Sequence, residues 1–312
     1  MSRTSLVLGV DGGGTRSTGL VADLSGNILT TRETGATNPN VVGFAAAART
    51  IFDLITRCCE EAHCSTDDLR SVVLGVAGAR VLEFRERIRD EVNACSQKRG
   101  GKQLPLSIET DARIALEGAF DGGPGVVLIA GTGSIIIGKT GRGDVLSVGG
   151  WGRILGDEGS GFAIGRDGIR ALTSFFDGRT GDTKLRALVT EAYGWKDRED
   201  VVRAVYQESF DLASLAPLVM EAAVDHDLVC QKILQNSAAQ LVDQLRSVVM
   251  QMGVLRKVCV VLSGGLVDHE TVFSNVLQLK IMKLLPQVEV QKAVYPPARG
   301  AVRIAINRIR EA

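Results

Sequence analysis

The chain contains the same arrangement of strands and glycine turns twice, once near its start and again after Gly125. In each copy an apolar segment runs into a turn of small residues that includes a threonine, and a second strand, a tight turn and a third strand follow. The copies begin with Val7-Leu-Gly-Val-Asp-Gly-Gly-Gly-Thr15 and Val127-Leu-Ile-Ala-Gly-Thr-Gly-Ser134. Strands and helices then alternate, which predicts a mixed, mainly parallel sheet flanked by helices in each half, with one antiparallel hairpin region. The repeat therefore predicts two α/β halves of common design.

A glycine-rich segment, Asp121-Gly-Gly-Pro-Gly125, has the composition of a linker between these halves. We predict an N-terminal domain at residues 1–121, which a C-terminal helix at 298–312 can rejoin, and a C-terminal domain at 122–297. The second domain carries a helical insertion at about 160–252. Apolar periodicity predicts single helices over 41–63, 199–210, 213–223 and 226–252.

The overall charge balance excludes some classes of partner. Lys+Arg and Asp+Glu number 36 each, and the zero net charge argues against binding to nucleic acid or an anionic membrane. No stretch approaches the roughly 20 apolar residues of a membrane helix. The six cysteines lack a C-x-x-C pair and the three histidines lack metal-ligand spacing. These features predict a cytoplasmic protein with reduced thiols.

Three glycine turns follow predicted strands, at Asp11–Thr15, Gly131–Ser134 and Ser263–Gly265. Glycine allows a phosphate to approach the backbone without a Cβ in the way, and successive N–H groups can then bind its oxygens. Asp11 can hold Mg²⁺ through water, and the hydroxyl-bearing residues can bind phosphate. Glycine turns also join strands for purely structural reasons, but the combination favours a nucleotide-binding site.

Two common nucleotide-binding patterns are absent. The sequence has no G-x-x-x-x-G-K-[ST] motif and no G-x-G-x-x-G motif followed by a helix. The turns at 11–15 and 131–134 are each followed by a predicted strand, so a phosphate would bind in a hairpin. This disfavours a P-loop NTPase or an NAD-dependent enzyme.

Five motifs occur in order along nearly the whole chain: Asp11-Gly-Gly-Gly-Thr-Arg-Ser17, Thr37-Asn38, Thr110-Asp111, Gly131-Thr-Gly-Ser134 and Gly149-Gly-Trp-Gly-Arg-Ile-Leu-Gly-Asp-Glu-Gly-Ser-Gly161. With them the chain resembles the actin/hexokinase-like ATPase superfamily, and within it the N-acetylglucosamine kinase branch of the BadF/BadG/BcrA/BcrD family. The resemblance implies two ribonuclease H-like domains with a cleft between them. It also implies transfer of the γ-phosphate of ATP to the 6-hydroxyl of an amino sugar, with Mg²⁺.

The resemblance further implies a role for particular residues. Asp111 corresponds to the base that accepts the proton of the sugar hydroxyl, and Asp11 to the residue that holds Mg²⁺, although some animal members carry glutamate there. The implied sugar-binding residues are Asn38, Asp111, Gly150, Trp151, Gly152 and Asp157. The implied nucleotide-binding residues are Gly13, Gly14, Thr15, Gly131, Thr132, Gly133, Ala213, Gly264 and Gly265.

For three of these residues, a purely structural role is an open alternative to the role in the site. Asp111 can be the N-cap of the helix predicted at 112–120, since aspartate is common there. Asn38 can serve turn geometry alone. Trp151 can be a core residue, although an indole face also suits a sugar or its acetamido methyl group.

Three other functional classes fit the sequence less well. A radical-dehydratase activator would hold an iron–sulfur cluster with loop cysteines, but the loop Ala77-Gly-Ala-Arg80 has none; a ROK-type sugar kinase would carry a Cys/His zinc motif, which is missing. A non-enzymatic actin-like module is disfavoured because Asp11, Asp111 and Asp157 are present. Glucosamine, N-acetylmuramic acid, N-acetylmannosamine and glucose remain alternative acceptors, and a homodimer is the common default.

Overall fold

The computed structural model describes residues 5–253 and 257–311, and the chain divides into two compact units. The first unit comprises the described residues up to Pro124 together with those from Lys292 onward. The second unit is Gly125–Gln291. Ala312, the last residue of the predicted C-terminal helix, lies outside the described residues.

Ten strands are present in the described residues: β1 (Leu6–Gly12), β2 (Ser17–Asp23), β3 (Ile28–Thr34), β4 (Leu69–Val76), β5 (Leu106–Thr110), β6 (Gly125–Ala130), β7 (Ser134–Lys139), β8 (Val145–Gly149), β9 (Val258–Ser263) and β10 (Val288–Gln291). They form two five-stranded sheets, ordered β3-β2-β1-β4-β5 in the first unit and β10-β9-β6-β7-β8 in the second. In each sheet only the second strand of the opening meander runs against the others. The two sheets thus have the same connectivity, which confirms the repeat predicted from the sequence.

The α-helices of the described residues are α1 (Pro39–Val42), α2 (Phe44–Glu61), α3 (Leu82–Lys98), α4 (Asp111–Ala119), α5 (Gly161–Phe176), α6 (Lys184–Tyr193), α7 (Arg198–Tyr206), α8 (Ala216–Val224), α9 (Leu228–Gln251), α10 (Val272–Leu284) and α11 (Pro297–Glu311). None of them is both long enough and apolar enough to cross a membrane.

The first unit buries apolar side chains on both faces of its sheet, as a mostly parallel sheet requires. Helices α2 and α3 pack with β1 and β4 around Leu8, Ile51 and Leu74. On the other face, α4 and α11 pack around Val73 and Val302. The C-terminal helix α11 approaches β1 closely, because a Cβ at Gly9 would lie 2.5 Å from the Val302 amide nitrogen.

The second unit has a larger core, which its sheet shares with the helices α5–α10. Leu128 and Ile136 from the sheet, Leu241 from α9 and Phe273 from α10 are buried in one cluster. Helix α9 contacts β7 and β8 and packs against α8 and α10. This long helix therefore supports the half of the sheet that leads into the loop after β8.

Several predicted helix boundaries are wrong, and each has a local cause. The helix predicted at 41–63 is divided by Gly43, whose φ of 79° does not fit a helix. The segment 213–223 begins with a 3₁₀ turn at Leu212–Leu215, and α8 follows with a proline in its first turn. Helix α7 ends at Tyr206, and α9 begins only after Asp227 caps it.

Candidate active site

The first glycine turn joins β1 to β2 and begins directly after Asp11 and Gly12. The Gly13 amide donates a hydrogen bond to Ser17 Oγ (3.2 Å), and a Cβ at Gly13 would clash with the carbonyl oxygen of Arg16. Gly14 and Thr15 lie at the exposed tip of this turn. The turn therefore requires glycine at position 13 and leaves Thr15 accessible.

The loop that carries Asn38 is bound to this turn. The amides of Thr37 and Asn38 both donate to the Gly13 carbonyl oxygen, at 3.0 and 3.2 Å. Asn38 Oδ1 accepts from the Asn40 amide (2.9 Å) and caps α1, so the asparagine does serve the local turn. These bonds place a predicted sugar-binding residue beside a predicted phosphate-binding turn.

Asp111 is the first residue of α4, and Thr110 is the N-cap. Thr110 has extended backbone angles, and its hydroxyl accepts from the Arg113 amide at 3.1 Å. Asp111 Oδ1 accepts from the Ala112 amide (2.8 Å). The alternative that Asp111 serves as the N-cap is therefore wrong, although its carboxylate does accept from an amide of the first turn.

The negative charge of Asp111 affects the pKa of Asp11. The pKa of Asp11 is raised to about 6, mainly by burial and to a smaller extent by the negative charge of Asp111. Burial also raises the pKa of Asp111, against the opposing effects of the Ala112 amide and the Arg80 guanidinium. Strands β1, β4 and β5 are parallel neighbours, so the residues that follow them share one sheet edge. The structure thus brings Asp11, Gly13, Asn38 and Asp111 together in the first unit.

This pair of carboxylates suits a magnesium ion. Carboxylate oxygen is the ligand type that Mg²⁺ prefers, and the ion usually keeps several waters and binds substrate phosphates. Among the residues that the structure describes, no group of three or more His, Cys, Asp or Glu side chains could hold a metal. One or two carboxylates fit a magnesium ion that arrives with a nucleotide better than a resident structural metal.

The second glycine turn joins β6 to β7 and contacts the start of α5. The Gly131 amide donates to the Gly133 carbonyl oxygen (2.9 Å), which closes the turn. The amides of Gly161 and Phe162 donate to the carbonyl oxygens of Gly131 and Thr132, at 2.8 and 3.1 Å. The N-terminus of α5 is therefore held against this turn, where a helix dipole favours an anion.

The remaining nucleotide-binding candidates of the second unit gather around the same turn. Gly264, after β9, has a φ of 105°, and a Cβ there would lie 2.5 Å from the Ala130 carbonyl oxygen. The Gly265 amide nitrogen is 3.7 Å from a Cβ built on Gly131, and the Ala213 Cβ is equally far from one built on Gly161. The structure thus groups six predicted residues: Gly131, Thr132, Gly133, Ala213, Gly264 and Gly265.

The loop after β8 presents apolar side chains to solvent. Trp151 is 72% exposed, and Ile154 and Leu155 are 90% and 76% exposed. Gly150 and Gly152, on either side of the indole, have φ values of 67° and 83° that favour glycine. The alternative that Trp151 belongs to the core is therefore wrong.

Asp157, at the end of this loop, has a different environment from Trp151. Its side chain is buried, and its Oδ1 accepts from the Ser134 amide at 3.2 Å. Its Oδ2 is 3.0 Å from a Cβ built on Gly133, so the carboxylate lies directly against the second glycine turn. The structure therefore places Asp157 beside a predicted phosphate-binding turn.

Sequence reasoning assigned no role to two polar side chains that organise these loops. Ser17 binds the first glycine turn, and Gln244 on α9 binds Glu158 at 2.9 Å across 86 positions of sequence. Ser17 stands inside the motif at 11–17 and could have been selected there. Gln244 lies in an amphipathic helix with no motif around it, so the sequence offered no signal for it.

Comparison with known proteins identifies the family of this chain. The sequence model of the BadF/BadG/BcrA/BcrD ATPase family matches residues 8–305. An N-acetyl-D-glucosamine kinase of Dictyostelium discoideum is 30% identical, over 97% of this chain and 98% of its own length. An N-acetylmuramic acid/N-acetylglucosamine kinase of Clostridium acetobutylicum is 29% identical, over 96% and 97% of the two chains.

A solved structure has the same fold. The protein, from Chromobacterium violaceum and provisionally named an N-acetylglucosamine kinase, superposes with a TM-score of 0.73 at 24% identity. The match covers 97% of this chain and 99% of that one. Together with the two mixed sheets, it confirms the predicted fold class of paired actin-like α/β domains.

Proposed function

Because this chain belongs to the BadF/BadG/BcrA/BcrD ATPase family, we propose that it is an ATP-dependent kinase of an amino sugar from the N-acetylglucosamine kinase branch. It transfers the γ-phosphate of ATP to the 6-hydroxyl of N-acetylglucosamine or a related sugar. The reaction needs an acceptor hydroxyl in line with the phosphorus, charge compensation and a proton acceptor. The residues of the two units supply a candidate for each.

The observation that carries the proposal is the arrangement around Asp111. Its carboxylate stands at the N-terminus of α4, at the sheet edge that also holds Asp11 and the turn bound to Asn38. Thr110 caps the helix, and a carboxylate has about four lone-pair sites, so Asp111 can accept from a ligand as well as from the Ala112 amide. At this edge a carboxylate can take the proton of a substrate hydroxyl, an amide side chain can bind sugar hydroxyls, and a glycine turn can bind phosphate.

In the proposed step, Asp111 accepts the proton of the sugar 6-hydroxyl. The bond from that oxygen to the γ-phosphorus forms while the bond from the phosphorus to the β,γ-bridging oxygen breaks, and ADP leaves. Proton transfer is late in a loose transition state, so Asp111 needs only a modest basicity. The raised pKa of Asp111 favours this role, and the nearby Arg80 holds the shift in check.

Asp11 would hold magnesium through water, and the negative charge of Asp111, which acts on Asp11, would add to the attraction for the ion. When bound, the ion neutralises charge on the phosphate oxygens. Thr15 and Thr132, with the glycine amides of their turns, are assigned to phosphates, and Gly264, Gly265 and Ala213 to the rest of the nucleotide. We assign Asn38, Gly150, Trp151, Gly152 and Asp157 to the sugar.

The acceptor is narrowed to amino sugars by the two relatives, one of which acts on N-acetylmuramic acid as well as N-acetylglucosamine. The exposed indole of Trp151 can cover an acetamido methyl group, which favours an N-acetylated sugar over glucosamine or glucose. A cytoplasmic location and a homodimer, with no nucleic acid or membrane partner, complete the proposal.

The test is ADP release from ATP and magnesium across a panel of sugars: N-acetylglucosamine, N-acetylmuramic acid, N-acetylmannosamine, glucosamine and glucose. We expect an N-acetylated sugar to give the highest kcat/KM and a sugar 6-phosphate as product. The 6-deoxy analogue of the best sugar is the control, because it can bind but offers no acceptor oxygen. Absence of sugar-stimulated ADP release across the whole panel would refute the proposal.

A further inference from the structure

The loop between β8 and α5 carries Trp151 but has little packing of its own. Five of its residues, 151–155, are exposed. Within its outer part, the Leu155 and Gly156 amides donate to the Gly152 carbonyl oxygen, at 3.2 and 2.8 Å. The position of the indole therefore depends on how the two ends of the loop are held.

Helix α9 contacts both of those ends through Gln244. Gln244 Nε2 donates to Glu158 Oε2 at 2.9 Å, at the end of the loop. Gln244 Oε1 is buried and lies 2.7 Å from a Cβ built on Gly149, at the beginning of the loop, where φ is 77°. Only this orientation of the amide lets its NH₂ group donate to the Glu158 carboxylate, since the flipped amide would place the Gln244 oxygen against a carboxylate oxygen, and both are acceptors.

The same end of the loop is joined to the second glycine turn. Ser134 Oγ donates to the Glu158 carbonyl oxygen at 2.8 Å, next to the bond from the Ser134 amide to Asp157. Gly159 rests on α9, because a Cβ there would lie 2.6 Å from the Ser237 carbonyl oxygen. Glu158 thus touches the phosphate-side turn with its backbone and α9 with its side chain.

We infer that Gln244 is a positioning residue that clamps the loop 149–158 through Glu158 and so fixes Trp151 where the sugar binds. The predicted effect on the KM for the sugar rests on the proposed function, whereas the contact between Gln244 and Glu158 is a property of the second unit alone. Glu158 and Gln244 form a charge-assisted hydrogen bond, which is stronger than a neutral one. A carboxylate at position 244 would instead face Glu158 with like charge.

The test compares Gln244→Glu with the double variant Glu158→Gln/Gln244→Glu, which restores an amide–carboxylate pair in reverse. The single variant should raise the KM for the sugar about tenfold or more, since a partly buried hydrogen bond to a charged group is replaced by repulsion between like charges. The KM for ATP should stay within about twofold of wild type. The double variant should return the sugar KM toward wild type. Gln240→Glu adds the same charge at an exposed position of α9 and is the matched control.

A second measurement needs no substrate. Arg153 is exposed in the middle of the loop, so trypsin can cut between Arg153 and Ile154 once the loop loosens. Mass spectrometry should show faster cleavage there in Gln244→Glu, and a wild-type rate in the double variant and in Gln240→Glu. Gln244→Ala removes the contacts with Glu158 and Gly149 without adding charge. If Gln244→Glu does not fold, the cleavage rate and sugar KM of Gln244→Ala test the clamp instead.

The two readouts separate the possible failures. If the wild type phosphorylates no sugar, the proposed function fails while the cleavage rates still decide the clamp. If cleavage at Arg153 and the sugar KM are unchanged in Gln244→Glu, or if the reversed pair restores neither, the clamp is wrong.

Discussion

The hydroxyl oxygens of Ser17 and Thr37 lie 2.7 Å apart, and both side chains are buried. Ser17 Oγ also accepts from the Gly13 amide, and the Thr37 amide donates to the Gly13 carbonyl oxygen. The two hydroxyls thus join the first glycine turn to the loop of Asn38 through a closed set of hydrogen bonds. The turn and the loop should therefore move and melt together.

Ser17→Ala should lower the free energy of unfolding by about 1–3 kcal/mol, because it leaves the buried Thr37 hydroxyl and the partly buried Gly13 amide without this partner. The isosteric Thr37→Val should cost less, and the double variant should cost less than the sum of the two. Urea denaturation measures each value. Ser25→Ala, which removes an exposed hydroxyl from the next turn, is the control. Strict additivity of the two changes would contradict the coupling.

Asp11→Asn should stabilise the protein at neutral pH. The pKa of Asp11 is about 6 in the folded state and 3.8 as its ordinary value, so the folded state binds this proton more tightly. The contribution of Asp11 to the free energy of unfolding is therefore fully present below pH 3.8, is lost as the pH rises to about 6, and stays lost above it. Relative to wild type, Asp11→Asn should gain on the order of 1–3 kcal/mol at pH 7.

Urea denaturation of both proteins between pH 4 and pH 7 measures this gain, in buffer without nucleotide or magnesium. The comparison cancels carboxylates elsewhere, such as Asp23, whose pKa is lowered by its hydrogen bond from Asn27 and whose contribution has the opposite sign. A stability difference that stays constant across this range would show that Asp11 does not titrate abnormally.

Much of this arrangement could be predicted from the sequence. The glycine turns were found because their composition is unusual, and the sheet connectivity follows from short apolar strands separated by clear turn signals. The family resemblance assigns a function to Asp111, for which the local pattern alone also allowed the structural role of an N-cap. The identity of the N-cap depended on whether Thr110 or Asp111 took the extended backbone angles, and this was not readable from either residue type.

Other features depend on packing that no local pattern reports. The exposure of Trp151 and the burial of Asp157, six residues later, are set by which parts of the loop meet α9 and the second glycine turn. Gln244 meets Glu158 only because the sheet folds β8 against α9. Such contacts between distant segments are decided by the tertiary structure, and one sequence alone does not reveal them.

Gly264→Ala and Gly265→Ala should differ although the residues are adjacent. Gly264 has a φ of 105° and no room for a Cβ beside the Ala130 carbonyl oxygen, so alanine should cost about 1–3 kcal/mol of stability and raise the KM for ATP. A Cβ at Gly265 meets nothing within 4 Å, so Gly265→Ala should keep wild-type stability. Any increase in its KM for ATP would then report contact with the nucleotide. Equal melting temperatures for the two variants would contradict the strain at Gly264.

Asp111→Asn should remove catalysis and preserve the site. Asparagine has nearly the same shape and can still accept from the Ala112 amide, and Thr110 continues to cap α4. It cannot accept the proton of the sugar hydroxyl, so kcat should fall by about 10²–10⁴-fold, the usual contribution of a general base. The dissociation constant of the 6-deoxy sugar, measured by calorimetry, should change by less than about threefold, since a neutral amide keeps most hydrogen bonds.

Retention of wild-type kcat would exclude Asp111 as the base, whereas loss of sugar binding along with kcat would make it a binding residue. Thr110→Ala is the matched control: it weakens the cap by about 1 kcal/mol and should leave kcat close to wild type.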